Sequence, residues 1–517
     1  MRLLLALHFA LHCIASSAMR ILQIVPGFTN SHILFNYRLA ETLTNLGHDV
    51  YMWTQMEMSM VITNIVKPPN RVTELRVPIF FSDSMKTEGL KASNERVFQT
   101  MMFNEGKAYD LWWTGQEFKD MRIEACEQML NISEEVVGSF RERSFDLAIA
   151  HFHDLCPLAM ARKVGVQKVV WITHGTSVYD FAAIQMGLRT FPSFVPHPLA
   201  AAGDTMRFWE RVANVLWHLS TVDFVNLPQN LLYDENHRYR KMISIGDPDL
   251  WALSQQVPVL LINGEAYLDF PRPLPIGITF MGEIDAKASG LSALSGEIKR
   301  IADEADAGII VFSLGTVSNT TNMPTRMLKS FLEAFTSFKR YTILWRLEKD
   351  VPEAKPFKHI HIMNWLPQKD LMRHPKMRLL IAHGGYNSLL ETAQAGVPAI
   401  LMPLFADQFI NAKRAQRFGF AELLNKLTIS SDIVRHTIDM VLHNSSYALN
   451  AKRIASILAD KPSDDRYASL SHRLRLAVSP RDYFMLKAAH KLSFVQYHFL
   501  DLLFVLIVVI VIVCRED

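Results

Sequence analysis

Twice along this chain a short apolar run gives way to a helical repeat and then to a second apolar run, and that order limits the fold most. Residues 21–25 form the first strand-like run, turn residues fill 26–30, and Leu34, Leu39, Leu43 and Leu46 then recur near helical spacing. Gly47 stops this helix and residues 48–54 resume as a strand. Such an order predicts a parallel sheet with a right-handed crossover. Buried strands are expected again at 145–150 and 168–173, separated by a helix at about 157–164. A proline-rich stretch, FPRPLPIG at 270–277, reads as a linker. Beyond it the pattern restarts, with strands at 307–315, 342–347, 359–365, 379–385 and 398–404 and helices around 324–337 and from about 386. The fold class is therefore α/β, with two doubly wound halves.

Length agrees, since 517 residues exceed one ordinary core and suit two large or three modest domains. Apolar residues at 49% and charged residues at 20% exclude a disordered chain and a multi-spanning membrane protein. Lys+Arg 54 against Asp+Glu 51, with no long basic block, leaves no electrostatic footprint for nucleic acid. Four cysteines cannot make a disulfide scaffold, and Cys126 and Cys156 are expected as two buried thiols.

The two ends read as membrane signals. Arg2, an apolar stretch over 3–14, and Ser16 and Ala18 at the cleavage positions predict a signal peptide over 1–18. At the other end, 502–514 is an unbroken apolar run, and reaching back to Phe494 gives a 21-residue segment with Tyr497 at headgroup level. A single-pass anchor over 494–514 with a cytosolic tail of 515–517 is expected, and with the signal it puts the body in the secretory lumen. Sequons at Asn131, Asn319 and Asn444 are glycosylation candidates that agree with that topology.

Ligands of doubly wound sheets bind outside the carboxyl ends of the strands, so residues just after strands carry the chemistry. After 359–365 come Trp365 and Gln368; after 379–382 come His383, Gly384, Gly385, Asn387, Ser388 and Glu391; after 398–404 come Asp407 and Gln408. The His-Gly-Gly turn offers backbone N–H groups and a positive helix end to a diphosphate. Glu391, one helical turn from Asn387, can accept both hydroxyls of a ribose. Trp365 presents a flat face to a base, and Asp407 with Gln408 suits sugar hydroxyls. Each motif alone is weak; their order along the chain is the signal.

The run WLPQKDLMRHPKMRLLIAHGGYNSLLETAQAGVPAILMPLFADQ, 365–408, closely resembles the signature of the UDP-glycosyltransferases, most of all the membrane-bound UDP-glucuronosyltransferase branch. FSLGT at 312–316, LWR at 344–346, PRPLP at 271–275, PSFVP at 192–196 and AAHKLSFVQYHFLD at 488–501 resemble that branch too. The resemblance implies a GT-B architecture, two Rossmann-like domains facing a cleft: an acceptor-binding domain over 19–269, a UDP-sugar domain over 278–462, and C-terminal helices over 463–493. It implies Trp365 on uracil, Gln368 and Glu391 on the ribose, and Ser313, Thr316, Arg346, His383, Asn387 and Ser388 around the diphosphate. Asp407 and Gln408 would hold the hexose. The partners implied are UDP-glucuronate or UDP-glucose, a small lipophilic acceptor and, through the anchor, membrane lipid in the endoplasmic reticulum. Self-association into a homo-oligomer is left open. No metal or other cofactor is expected, since helix N–H groups and Arg346 can meet the leaving-group charge.

In this family the residue matching His32 is the general base, and a carboxylate after the 145–150 strand orients it. Here that position is His151, which supplies no negative charge; Asp154, three residues on, is the candidate substitute. Asn263 stands where glucuronate-using relatives carry an arginine, which favours a neutral hexose. Two readings follow: an inverting hexosyltransferase, or a catalytically impaired UDP-sugar-binding relative or partner subunit. Asp247-Pro-Asp249 matches a metal-binding DxD but reads as a turn.

Overall fold

The computed structural model describes residues 18–27, 30–57, 67–79, 102–103, 122–152, 154–175, 179–198, 202–219, 231–282, 294–315, 320–405, 407–460, 465–479 and 486–516. Residues 1–17 of the expected signal peptide (1–18), Thr316, Asn319, the side chain of His32 and most of 58–121 lie outside the described residues.

Two parallel sheets organise the chain. The first has the order β3-β2-β1-β4-β5-β6-β7, built from β1 (Arg20–Pro26), β2 (Asp49–Glu57), β3 (Thr73–Ile79), β4 (Leu147–His151), β5 (Val169–His174), β6 (Leu260–Asn263) and β7 (Ile278–Phe280). The second has the order β10-β9-β8-β11-β12-β13, built from β8 (Gly308–Ser313), β9 (Tyr341–Arg346), β10 (Ile360–Met363), β11 (Met377–Ala382), β12 (Ala399–Leu401) and β13 (Ala421–Leu423). Every residue of β4, β6, β8 and β12 is buried, as the continuous apolar runs require of strands covered on both faces.

The covering helices come next in each crossover. They include α1 (Asn30–Asn45), α2 (Glu134–Arg141), α3 (Cys156–Lys163), α4 (Phe208–His218), α5 (Leu231–Arg240) and α6 (Leu250–Ser254) in the first half. The second half has α7 (Thr325–Thr336), α8 (Gln368–Met372), α9 (Tyr386–Ala395), α10 (Gln408–Arg417), α11 (Ser431–His443) and α12 (Ser445–Ala459). In α1, Phe35, Leu39 and Leu43 are buried against β1 and β2, while Leu34 faces out.

Four sequence expectations change. β7 pairs with β6, so 271–277 is a connection inside the first domain, and that domain runs past 278. Helix α13 (Asp465–Val478) returns to the first domain, burying Leu470, Leu474 and Ala477 beside β1 and α1. Cys126 and Cys156 form a disulfide, Cα atoms 5.7 Å apart, because the 122–130 helix is laid across the start of α3. The expected continuous helix from Phe494 is instead two pieces: Phe494–Tyr497, then α14 (Leu500–Glu516), with Phe499 at φ 57° between them. Among the described residues no helix is long and apolar enough to cross a membrane.

Candidate functional site

Both sheets reverse their strand order at one place: between β1 and β4, and between β8 and β11. At such switch points the crossovers depart to opposite faces and leave a crevice at the carboxyl ends. The candidate residues collect at these two crevices.

At the second, Ser313 ends β8 in register with Ala382 of β11, which puts Gly315 beside His383. Gly315 has φ +77°, and a Cβ there would come within 2.5 Å of the His383 ring. A Cβ on Gly385 would meet the same ring at 2.5 Å, so both glycines are needed to seat the imidazole. Burial, and then the Arg346 charge, lower the pKa of His383 to about 4, leaving it neutral near pH 7. Its buried Nδ1 has no hydrogen-bond partner among the described residues. Gly385 caps α9 without a side-chain bond, so backbone N–H groups of the first turn are also open to an anion.

Arg346 ends β9, nearly buried, with its guanidinium on the Gly315 carbonyl and on Glu348. Burial lowers its pKa, partly offset by Glu348. It lies 5.9 Å from the ring centre of Trp365, whose indole is 62% exposed just beyond β10. An indole left that open gains little from core packing and is free to stack on a planar ligand. Gln368, the first residue of α8, donates from Nε2 to Glu391 Oε2 at 2.8 Å and to Ser388 Oγ at 3.3 Å. Thus Gln368, Ser388 and Glu391 stand together beside Trp365 and Arg346. Asn387 is exposed on α9.

Gln408 Oε1 accepts from the N–H groups of Leu404 (2.8 Å) and Phe405 (3.1 Å), so that oxygen shapes the turn before α10. Asp407 accepts from Asn411 Nδ2 at 2.9 Å, and burial raises its pKa. Asn411 in turn accepts from Arg414, which is buried and paired with Asp269 of the first domain at 2.7–2.8 Å. Asp407 is thereby linked through Asn411 and Arg414 to Asp269 at the domain junction. Nearby, the Glu265 N–H donates to the Tyr386 hydroxyl at 2.7 Å, and the Tyr386 ring packs over Gly175 at the end of β5. Sequence reasoning named none of Asp269, Asn411, Arg414 and Tyr386, because Asp269, Arg414 and Tyr386 acquire partners from distant segments and Asn411 joins them only through Arg414.

At the first crevice, position 32 lies in the first turn of α1, one turn before Asn36, and His151 ends β4. His151 is 1% exposed, edge-on to Phe35, and its Nε2 is 2.9 Å from Asn36 Nδ2. Gln23 fixes the polarity of this contact. Its Nε2 donates to the Asn36 backbone oxygen (3.1 Å) and to Asn36 Oδ1 (2.6 Å). A backbone oxygen only accepts, so the Gln23 amide cannot flip; Asn36 Oδ1 must accept and Asn36 Nδ2 must donate. His151 Nε2 therefore accepts, and the ring carries its proton on Nδ1. Asp154, the candidate substitute for the missing carboxylate, is ion-paired with Arg122 of the 122–130 helix. Asp247 and Asp249 are likewise engaged, by Arg162 at 3.6 Å and by Arg240, with Asp249 capping α6.

A sequence profile described as "UDP-glucoronosyl and UDP-glucosyl transferase" matches residues 22–516. The chain belongs to this family. It is a UDP-glycosyltransferase, 58% identical over 96% of its length and 97% of the other's to the Caenorhabditis elegans protein bearing the name UDP-glucuronosyltransferase ugt-60. Mouse UDP-glucuronosyltransferase 1A9 is 28% identical over 81% of this chain and 78% of its own. Among solved structures, the glycotransferase of kitacinnamycin superposes with TM-score 0.60 at 14% identity, covering 88% of this chain and 99% of that one. Phytolacca americana UGT2, complexed with UDP-2fluoro-glucose and pterostilbene, gives 0.57 at 14%, covering 88% and 98%. These place the UDP-glycosyltransferase in the GT-B fold, the architecture expected from its sequence.

Proposed function

We propose that this UDP-glycosyltransferase transfers a hexose, glucuronate or glucose, from its UDP carrier to a hydroxyl of a small lipophilic acceptor, with inversion at the anomeric carbon. The observation that carries this is the assembly at the β8/β11 crevice: an exposed Trp365 beside the hydrogen-bonded Gln368, Ser388 and Glu391, with Arg346 and His383 alongside. Stacking on Trp365 suits uracil, the Glu391 carboxylate suits the ribose hydroxyls, and Arg346 with the α9 N–H groups suits the diphosphate. Ser313 borders that diphosphate position, Thr316 and Asn387 join it by motif, and Asp407 addresses the hexose. Leaving-group charge is met by those donors without calling on a metal. His32 takes the acceptor proton as oxygen attacks opposite UDP. Asn263 at the end of β6, in place of a guanidinium, favours glucose.

Attachment follows from the ends. The apolar part of α14, residues 502–514, rises about 20 Å as a helix, short of the roughly 27 Å hydrocarbon layer of the endoplasmic reticulum, so an anchor here draws on local thinning of the bilayer, with Phe494–Tyr497 at headgroup level, and the signal segment directs the body to the lumen. Asn131 and Asn444 are exposed and accessible to glycosylation.

A specific observation favours the second reading, an impaired UDP-sugar-binding relative or partner subunit. His151 uses its Nε2 lone pair on Asn36 and has no nitrogen left to accept an N–H from a second imidazole. UDP release by full-length protein with each donor and an acceptor panel, beside His32→Ala and Glu391→Ala, decides between them. Acceptor-dependent release lost in both variants supports transfer. UDP-sugar binding without release under any acceptor supports the second reading, and absence of binding overturns the donor site.

A further inference from the structure

The guanidinium of Arg346 is held by groups of unequal freedom. Its side chain is 6% exposed at the end of β9. Nη1 donates to the Gly315 carbonyl, a backbone oxygen fixed in the turn after β8. Nη2 donates to Glu348 Oε1, just past the end of the strand. Nε is buried and has no hydrogen-bond partner among the described residues. The fold therefore sets one acceptor that cannot leave and one carboxylate that can. The Glu348 side chain is 43% exposed, while its backbone N–H is tied to the buried Thr320 hydroxyl at 3.1 Å. A change of side-chain rotamer alone turns this carboxylate to water, with the main chain unmoved.

The surroundings of this ion pair are those of the donor crevice. Gly315 backs onto the His383 ring, whose Nδ1 is a second buried nitrogen without a partner, and Trp365 lies 5.9 Å from the guanidinium. A guanidinium buried this deeply is costly unless an anion stands on it, and in the ligand-free protein that anion is Glu348. A diphosphate at the α9 N–H groups brings several negative charges to the same place, and like charges on one site repel. One anion must yield, and the half-exposed carboxylate is the one with somewhere to go. We propose that Glu348 is an internal counter-anion that occupies Arg346 until the donor's diphosphate displaces it, so that this carboxylate sets donor affinity by competition. The inference rests on the reading that Arg346 meets the diphosphate. A binding site partly taken by its own chain binds its ligand more weakly by the fraction taken. The same carboxylate returns to Arg346 as UDP leaves, which favours product release.

Calorimetry with UDP and with uridine on full-length protein tests this, beside Glu348→Gln, Arg346→Ala and Glu333→Gln, with ligand-free thermal unfolding of each. Glu333 is exposed on α7 and controls for the change of net charge. Glu348→Gln should bind UDP about three- to tenfold tighter, with uridine affinity unchanged, and added salt should shrink the gain. Its ligand-free Tm should fall, because Arg346 has lost its counter-charge. The two effects have opposite signs, whereas a residue that only supports the fold or orients Arg346 would lower stability and affinity together. Unchanged or weaker UDP binding in Glu348→Gln overturns the inference and leaves the donor site standing. Equal tightening for uridine also overturns it, since the carboxylate would then oppose the base. The same holds for equal tightening in Glu333→Gln, which would make the effect one of net charge. Full UDP affinity in Arg346→Ala removes Arg346 from the diphosphate and the inference with it. No UDP binding by the unaltered protein overturns the donor site and the inference together.

Discussion

Residue by residue, the donor crevice is defined by which groups are already satisfied. Glu391 keeps a carboxylate beside Trp365 while Gln368 holds it in place, so Glu391→Ala should weaken UDP binding by about 1.5–3 kcal/mol, read by calorimetry. Gly315→Ala forces a side chain into the His383 ring at a backbone conformation that disfavours one, and should cost UDP affinity at least as much. At the other crevice, His151→Asp supplies the acceptor that a neutral ring held by Asn36 lacks. In a charge-oriented imidazole this carboxylate is worth up to about 10⁴ in kcat, so a rise of about tenfold or more is expected, dependent on His32. An unchanged or lower kcat in a folded, UDP-binding variant would count against His32 as base. The candidate donor residues Trp365, Gln368, His383 and Glu391 could be picked out in the sequence because they follow strand ends, and the structure brings them to one crevice. Gln23 and Asn36 were not, because what they do is set a proton on a ring 115 positions from Asn36.

Among the elements, α3 and α4 show how local pieces are pinned. The Cys126–Cys156 bond closes a 30-residue separation and, with the Arg122–Asp154 pair, ties the 122–130 helix to α3. Replacing both cysteines by serine should cost about 3–4 kcal/mol in a denaturant titration. Helix α4 should respond to acid. His197 and His218, with rings 5.0 Å apart, have pKa values lowered by burial from 6.5 to about 3 and about 4. Above pH 6.5 neither the folded nor the unfolded chain protonates them, and their contribution is complete. Below it the unfolded chain takes up protons first, so stability falls by roughly 1 kcal/mol per pH unit for each histidine until the folded values are reached. Thermal unfolding between pH 7 and 5 should show this decline, and His218→Gln should flatten it; a flat profile in the unaltered protein would refute the assignment.

For the whole molecule, the junction of the two domains is a dry ionic contact. Arg414 and Asp269 are each at most 5% exposed, and Asn411 carries the connection on to Asp407. Asp269 also pairs with the buried Arg272 at 3.7 Å, so Asp269→Ala strands two buried guanidinium groups and should destabilise by about 3–5 kcal/mol, whereas replacing Asp269, Arg272 and Arg414 together by apolar residues should cost far less. The triple variant should retain stability and show a raised KM for the UDP-sugar.

The sequence by itself determined the α/β class, both doubly wound sheets and the strand ends that carry the candidate donor residues, and the motif run at 365–408 carried the resemblance to the UDP-glycosyltransferases. The class, sheets and strand ends are written in short-range periodicity and spacing, where each residue's neighbours along the chain are also its physical neighbours. Only the tertiary structure decided that β7 belongs to the first sheet, that α13 crosses back to close it, that Cys126 meets Cys156 and that Asp154 is taken by Arg122. It alone turned the polar face of α4 inward and fixed the His151 proton. Each of these depends on a partner brought from a distant segment, and burial makes such pairings obligatory without leaving a local pattern that announces them.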